Sequence, residues 1–116
     1  MVESNSLHSN PEVRIVLTTA GSREEAERIG RTLVEERLAG CATLLPGVES
    51  IYHWRGGIET DSETLLLLKT EVDQLDALYA RLKALHSYET PEFLVLSVEA
   101  ASQGYREWLK ASLAGV

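Results

Sequence analysis

The sequence predicts an α+β domain, on three observations. Two amphipathic stretches, 26–38 and 75–85, repeat their apolar residues at three- and four-residue steps and lie between runs rich in Val, Ile and Leu. Helices and strands therefore share one chain. A glycine pair, Gly56 and Gly57, separates the two middle runs and marks them as arms of one hairpin. The length of 116 residues, with 44% hydrophobic and 25% charged residues, fits one packed domain and leaves little for a second. Folding at this size buries roughly two-thirds of the extended chain's surface, so oligomerisation would be a useful supplement.

Residues 1–11 are polar, carry Glu3 and have no apolar segment, so they read as a flexible leader ahead of a single domain at 12–116. The β-branched run 13–19 reads as a strand ending at Ala20-Gly21. Ser22 and Glu25 have the spacing of a reciprocal capping box, which predicts a helix start. Ala26, Ile29, Leu33, Val34 and Leu38 form its buried stripe, Gly30 permits close backbone approach, and Gly40 is the expected stop. A second strand starts at Cys41, is interrupted at Pro46-Gly47 by a bulge or bend, and resumes over 48–54. The returning strand, 58–69, contains Leu65-Leu66-Leu67-Leu68 and implies burial on both faces. Arms of this length exceed the usual strand of about five or six residues. They expose Tyr52 and Trp54, and another subunit is the expected partner for the open edges.

Asp73 and Asp76 open a second helix, which buries Leu75, Leu78, Tyr79, Leu82 and Leu85. The loop 86–91 ends at Pro91, which disfavours helical geometry at Thr90. A fourth strand over 93–98 and a terminal helix over 102–113, with Tyr105, Trp108 and Leu109 on one face, complete the chain. The order βαββαβ plus a C-terminal helix is the ferredoxin-like, split βαβ arrangement, with a long hairpin between its second and third strands.

Composition removes several function classes. A net charge of −7 disfavours nucleic acid and anionic membranes, whose binding draws on Lys and Arg. No apolar run approaches the roughly 20 residues of a membrane span. The single cysteine, Cys41, makes no internal disulfide and no multi-cysteine metal site, and fits an intracellular protein. The first and third strands carry no aromatics for stacking RNA bases, and the loop after the first strand has no CxxC pair for carrying copper.

The stretch 41–54, CATLLPGVESIYHW, closely resembles the CutA family of divalent-cation tolerance proteins. Arg55-Gly56-Gly57-Ile58-Glu59, the strand from Glu63 to Lys69-Thr70, His86-Ser87-Tyr88-Glu89-Thr90-Pro91-Glu92 and Tyr105-Arg106-Glu107-Trp108-Leu109 follow in family order and spacing. The resemblance covers about 13–113 and implies a cytoplasmic homotrimer in which hairpin arms join the neighbours' sheets. It also implies a link to tolerance of copper and other divalent ions, with no enzymatic reaction and no organic cofactor. Copper-associated members carry Cys at the position of Thr18 and a His pair where this chain has Leu85-His86. Thr and Leu are not soft donors, so what remains is a weak inter-subunit metal site at His86 and Glu89. The architecture also resembles the PII signalling proteins. Cys41, Tyr52, Trp54, Lys69 and Tyr88, joined from two chains, are then the expected walls of a small-molecule cleft, and a partner-binding scaffold is the further alternative.

The same residues have plainer structural readings. Cys41 reads as a buried thiol, His86 as a partner for helix-end carbonyls, and Tyr52 and Trp54 as interface packing. Lys69 reads as a snorkelling chain, and Glu59, Asp61 and Glu63 as solvated hairpin charges. A hydrolase using Cys41 with His86 lacks an orienting third residue and an oxyanion hole.

Overall fold

The computed structural model describes residues 7–9 and 12–115. Its strands are β1 (Leu7–Ser9), β2 (Val13–Ala20), β3 (Cys41–Trp54), β4 (Gly57–Glu71), β5 (Leu94–Ser97) and β6 (Ala100–Ser102). Its helices are α1 (Arg23–Glu35), α2 (Leu75–Leu85), which follows a 3-10 turn at Val72–Gln74, and α3 (Gln103–Ala114). The main sheet has the antiparallel order β3-β4-β2-β5, the ferredoxin-like order expected from the sequence. Residues 7–9 of the expected leader instead form β1, which pairs with β6 in a two-stranded ribbon; the leader's other residues lie outside those described. Three-residue strands are too short to show a period, so neither β1 nor β6 was legible in the sequence.

The core follows from strand alternation. Val16 opposite Leu68, Thr18 opposite Leu66 and Ala20 opposite Thr64 point to one face, where Ile29 and Leu33 of α1 and Leu78 and Leu82 of α2 cover them. All of these side chains are buried. Ile29, Leu33, Leu66, Leu68, Leu78 and Leu82 each contribute about 1.5–3 kcal/mol of transfer free energy against the ordering entropy of the chain. Gly30 lets α1 lie close to β3, since a Cβ there would stand 3.1 Å from that of Ala42.

Both ends of α1 depart in part from expectation. Ser22 Oγ accepts from the Glu25 amide at 3.1 Å, as a cap should. The Glu25 carboxylate does not close the box, because it binds Ser87 across the fold. The left-handed residue after the helix is Arg37, at φ 60°, and not Gly40. Gly40 serves packing: a Cβ there would fall 2.5 Å from Leu109 Cδ1. On α3, Leu109 is fully buried while Tyr105 and Trp108 remain about half exposed, so the expected apolar face narrows to one leucine.

The hairpin is as long as its sequence implies. Register moves three residues on β3 for two on β4 between Leu45 and Val48, which is the bulge expected at Pro46-Gly47. Gly47 takes φ 76° there. The tip is tighter than expected. Arg55 and Gly56, at φ 50° and 81°, are the two positive-φ residues of the turn, and Gly57 already belongs to β4. Because β2 pairs with β4 only from Glu71 back to Thr64, residues 48–63 project beyond the sheet. The protomer measures 57 × 24 × 22 Å, and its radius of gyration of 15.6 Å exceeds the roughly 13 Å of a globule this long.

The sheet face opposite α1 and α2 carries Ile15, Leu17, Leu45, Leu65, Leu67, Leu94 and Leu96 in cross-strand register. Leu45, Leu94 and Leu96 are 43%, 51% and 45% exposed, and α3 reaches only the end of this face near Cys41 and Glu71. Removing a core anchor should be costly: Leu82→Ala should lose about 2–5 kcal/mol in denaturant unfolding, while Lys83→Ala on the exposed side of α2 should stay within about 0.5 kcal/mol.

Candidate functional site

Where α2 ends, His86 turns to extended backbone (φ −81°, ψ 142°) and its ring enters the fold. The side chain is fully buried. Nδ1 accepts from the Tyr88 amide at 3.0 Å, so the ring hydrogen sits on Nε2 and is donated to the Thr19 carbonyl at 2.7 Å. The carbonyl that it binds belongs to β2 and not to the end of its own helix, contrary to the capping role expected. Glu25 Oε2 stands 3.6 Å from Nδ1, and the carboxylate accepts from the Ser87 amide (2.8 Å) and hydroxyl (3.0 Å). Burial pushes the Glu25 carboxyl up, but the two Ser87 hydrogen bonds, aided by the Arg28 charge, outweigh it and hold it below the usual glutamate range.

Tyr88 packs its ring against His86 at 4.6 Å and donates its hydroxyl to Glu63 Oε2 at 2.7 Å. Burial first, then the Glu63 hydrogen bond and charge, push the phenol well above its ordinary range. Glu63 is thus a buried acceptor and not the solvated hairpin charge expected. Burial and the Glu63 charge raise the carboxyl of Glu92. Glu89, the second expected metal ligand, is exposed. Thr18 is fully buried on the helix-facing side of β2, and its hydroxyl has no hydrogen-bond partner among the described residues.

A second polar group lies at the other end of the sheet. Cys41 and Lys69 are cross-strand partners, and Lys69 Nζ donates to Thr43 Oγ1 while standing 3.7 Å from Cys41 Sγ. The Tyr105 phenol meets the thiol from α3, with burial first and Cys41 second raising its pKa. Cys41 is half-buried, and Lys69 is held across Thr43 instead of snorkelling to water. Thr43 was findable by alternation with Cys41, but Tyr105 comes from a distant helix and left no local signal.

Tyr52 and Trp54 stand on the projecting arm, 38% and 56% exposed. The Tyr52 hydroxyl donates to Asp61, and that hydrogen bond, followed by desolvation and the charges of Asp61, Glu59 and Glu63, moves its pKa up to about 12. Arg55 lies 5.3 Å over the Trp54 ring, a cation–π contact at the tip. Along β4, Cys41 faces Lys69 and Trp54 faces Gly57, twelve residues away or about 40 Å at 3.3 Å per residue. One protomer therefore joins His86 with Tyr88, and Cys41 with Lys69, but does not unite these pairs with each other or with the aromatics. No group of three His, Cys, Asp or Glu residues is arranged to hold a metal ion among the described residues.

Residues 14–112 match the family model described as CutA1 divalent ion tolerance protein. The chain belongs to this family. A divalent-cation tolerance protein CutA of Citrobacter koseri is 44% identical over 114 residues, covering 97% of this chain and 99% of the relative. A chloroplastic CutA 1 protein of Oryza sativa is 40% identical over 98 residues, 84% of this chain, which spans about half (55%) of that longer relative. The solved structure of CutA from Synechococcus elongatus superposes with a TM-score of 0.90 at 41% identity, covering 93% of this chain and 96% of that one.

The lowered Glu25 pKa fixes the sign of a pH effect. A carboxyl depressed by folding contributes stability that is complete above its unfolded value, about 4.3, and is lost as pH falls through the folded one. The melting-temperature gap between wild type and Glu25→Gln should be widest near neutral pH and should close on acidification; a gap that holds steady through acid would refute the assignment. Thr18→Val removes an unpaired buried hydroxyl without changing side-chain size, and should leave stability unchanged or raise it by up to about 1 kcal/mol in urea unfolding.

Proposed function

We propose that this protein is a homotrimeric CutA-type divalent-cation tolerance protein that works in the cytoplasm as a binding and assembly protein and not as an enzyme. The observation that carries this reading is the open apolar sheet face combined with a hairpin that outruns its own sheet. Soluble monomers rarely leave such a face uncovered, and both β3 and β5 present unpaired edges, β5 with the uncharged sequence Leu94-Val95-Leu96-Ser97. Cyclic threefold packing would cover the face and close the edges. The link to divalent cations comes from family membership. No helix among the described residues is long and apolar enough to cross a membrane, and the net charge of −7 supports a protein without a nucleic-acid partner.

The residues at the copper-associated positions do not fit a copper site: Thr18 and Leu85 supply no soft donor, and both His86 nitrogens are committed to backbone groups. A hydrolase pairing Cys41 with His86 is disfavoured because the two residues stand apart in the protomer. Cys41 lies opposite Lys69, whereas the strand carbonyl bound by His86 lies opposite Leu65, about 13 Å away along β4.

The Lys69, Thr43, Cys41 and Tyr105 group favours a second reading, a PII-like cleft for a small molecule between subunits. A neighbour's arm would bring Tyr52 and Trp54 to that group and supply the aromatic walls that a single protomer keeps about 40 Å away.

Sedimentation at micromolar concentration should give three times the 12.8 kDa protomer mass, and Leu96→Glu on the open face should shift it toward monomer. A monomeric wild type would overturn the trimer. A thermal-shift screen of carboxylic acids and nucleotides tests the cleft, because a ligand of the native state raises the melting temperature and Lys69→Ala should abolish the shift.

A further inference from the structure

We propose that His86 is a positioning residue: its ring clasps the 86–92 loop to the sheet, sets Tyr88 on Glu63 at the root of the projecting hairpin, and is closed to divalent cations. A cation needs an in-plane lone pair on an imidazole nitrogen, and metal-binding histidines tie one nitrogen to the protein and give the other to the ion. Here the protein takes both. The Nδ1 lone pair receives the Tyr88 amide at 3.0 Å, and the Nε2 hydrogen lies on the Thr19 carbonyl at 2.7 Å. An ion on Nδ1 would orphan the Tyr88 amide, and an ion on Nε2 would displace the proton that satisfies a β2 carbonyl. The nearest carboxylate, Glu25, is already held by the Ser87 amide and hydroxyl. The side chain has no solvent exposure through which a hydrated ion could approach.

The clasp has a definite mechanical consequence. Thr19 lies opposite Leu65 on β4, and Glu63, two residues toward the tip, lies opposite Val48, the first β3 residue past the bulge. Glu63 therefore stands where the arm leaves the sheet. With its backbone fixed by His86 and its ring resting on the imidazole, Tyr88 passes Gly21 and places its hydroxyl on Glu63. A Cβ at Gly21 would come within 3.2 Å of that hydroxyl, so the glycine keeps the path clear. The chain His86, Tyr88, Glu63 thus joins β2, the loop and the hairpin root, while Glu25 ties the same loop to the first turn of α1.

Two measurements on the intact protein test this. In nitrogen-15 imidazole spectra, His86 should keep the Nε2–H signature and remain unmoved by zinc in molar excess. Zinc-dependent shifts of either His86 nitrogen would overturn the closed ring. In hydrogen-exchange mass spectrometry, Tyr88→Phe, which removes only the hydroxyl, should speed exchange in 48–63 by about tenfold while leaving the β2–β4 core at its wild-type rate. His86→Ala should do the same and also expose the 86–92 loop. Unchanged exchange at the root, or equal acceleration across the whole sheet, would refute a positioning role. The imidazole readout does not depend on the trimer proposed above, and exchange is compared between wild type and variants of equal sedimentation mass, so failure of the clasp and failure of the assembly are told apart.

Discussion

Nearly everything in this fold depends on how one strand, β4, shares its length. Of its fifteen residues, those from Gly57 to Lys69 pair with β3, broken only at the bulge opposite Thr64, while β2 pairs only with the half from Thr64 to Glu71. The inner half is thus a central strand, buried on its helix face and lined with leucine on the other. The outer half is a two-stranded ribbon with both edges open. A two-stranded ribbon is marginal on its own in water, and a leucine-lined sheet face is costly to leave wet. The same strand sets both the open leucine face and the arm that projects beyond it.

The bulge at Pro46-Gly47 divides the two regimes. One extra residue on β3 increases the local twist and re-aims the arm where pairing with β2 ends. Buried polar bonds gather at this junction, and the Tyr88–Glu63 bond is the one that reaches the arm itself. A bonded pair here exerts leverage over a long projecting element that a bond in the middle of the sheet would not. The cost is a buried carboxylate, offset by a phenol that keeps its proton because burial and the neighbouring charge both oppose ionisation.

Much of the architecture was legible because it repeats. The α1 stripe, the leucine run of β4, the bulge and the βαββαβ order all arise from side-chain periods or from the chemistry of Pro and Gly. What escaped had no period or depended on distant residues. β1 and β6 are too short, and the turn uses Arg55 where a glycine pair had drawn attention to Gly57. The spacing of Ser22 and Glu25 is that of a capping box, yet Ser87, 62 residues away, takes the Glu25 carboxylate. Of the expected site residues, His86 and Tyr88 do meet, as do Cys41 and Lys69, but the two pairs sit apart along β4 and the aromatics lie farther out on the arm.

Sequence alone determined the class of fold, the order of its elements, the unusual hairpin and, by resemblance, the family. Those properties are local or statistical, carried by residues within a few positions of one another. Only the tertiary structure decided what His86 and Glu63 do. A side chain's chemistry is set by the groups around it, and here those groups come from β2, the first turn of α1 and the hairpin root. An imidazole that reads in sequence as a metal ligand becomes a clasp because both nitrogens already face the backbone.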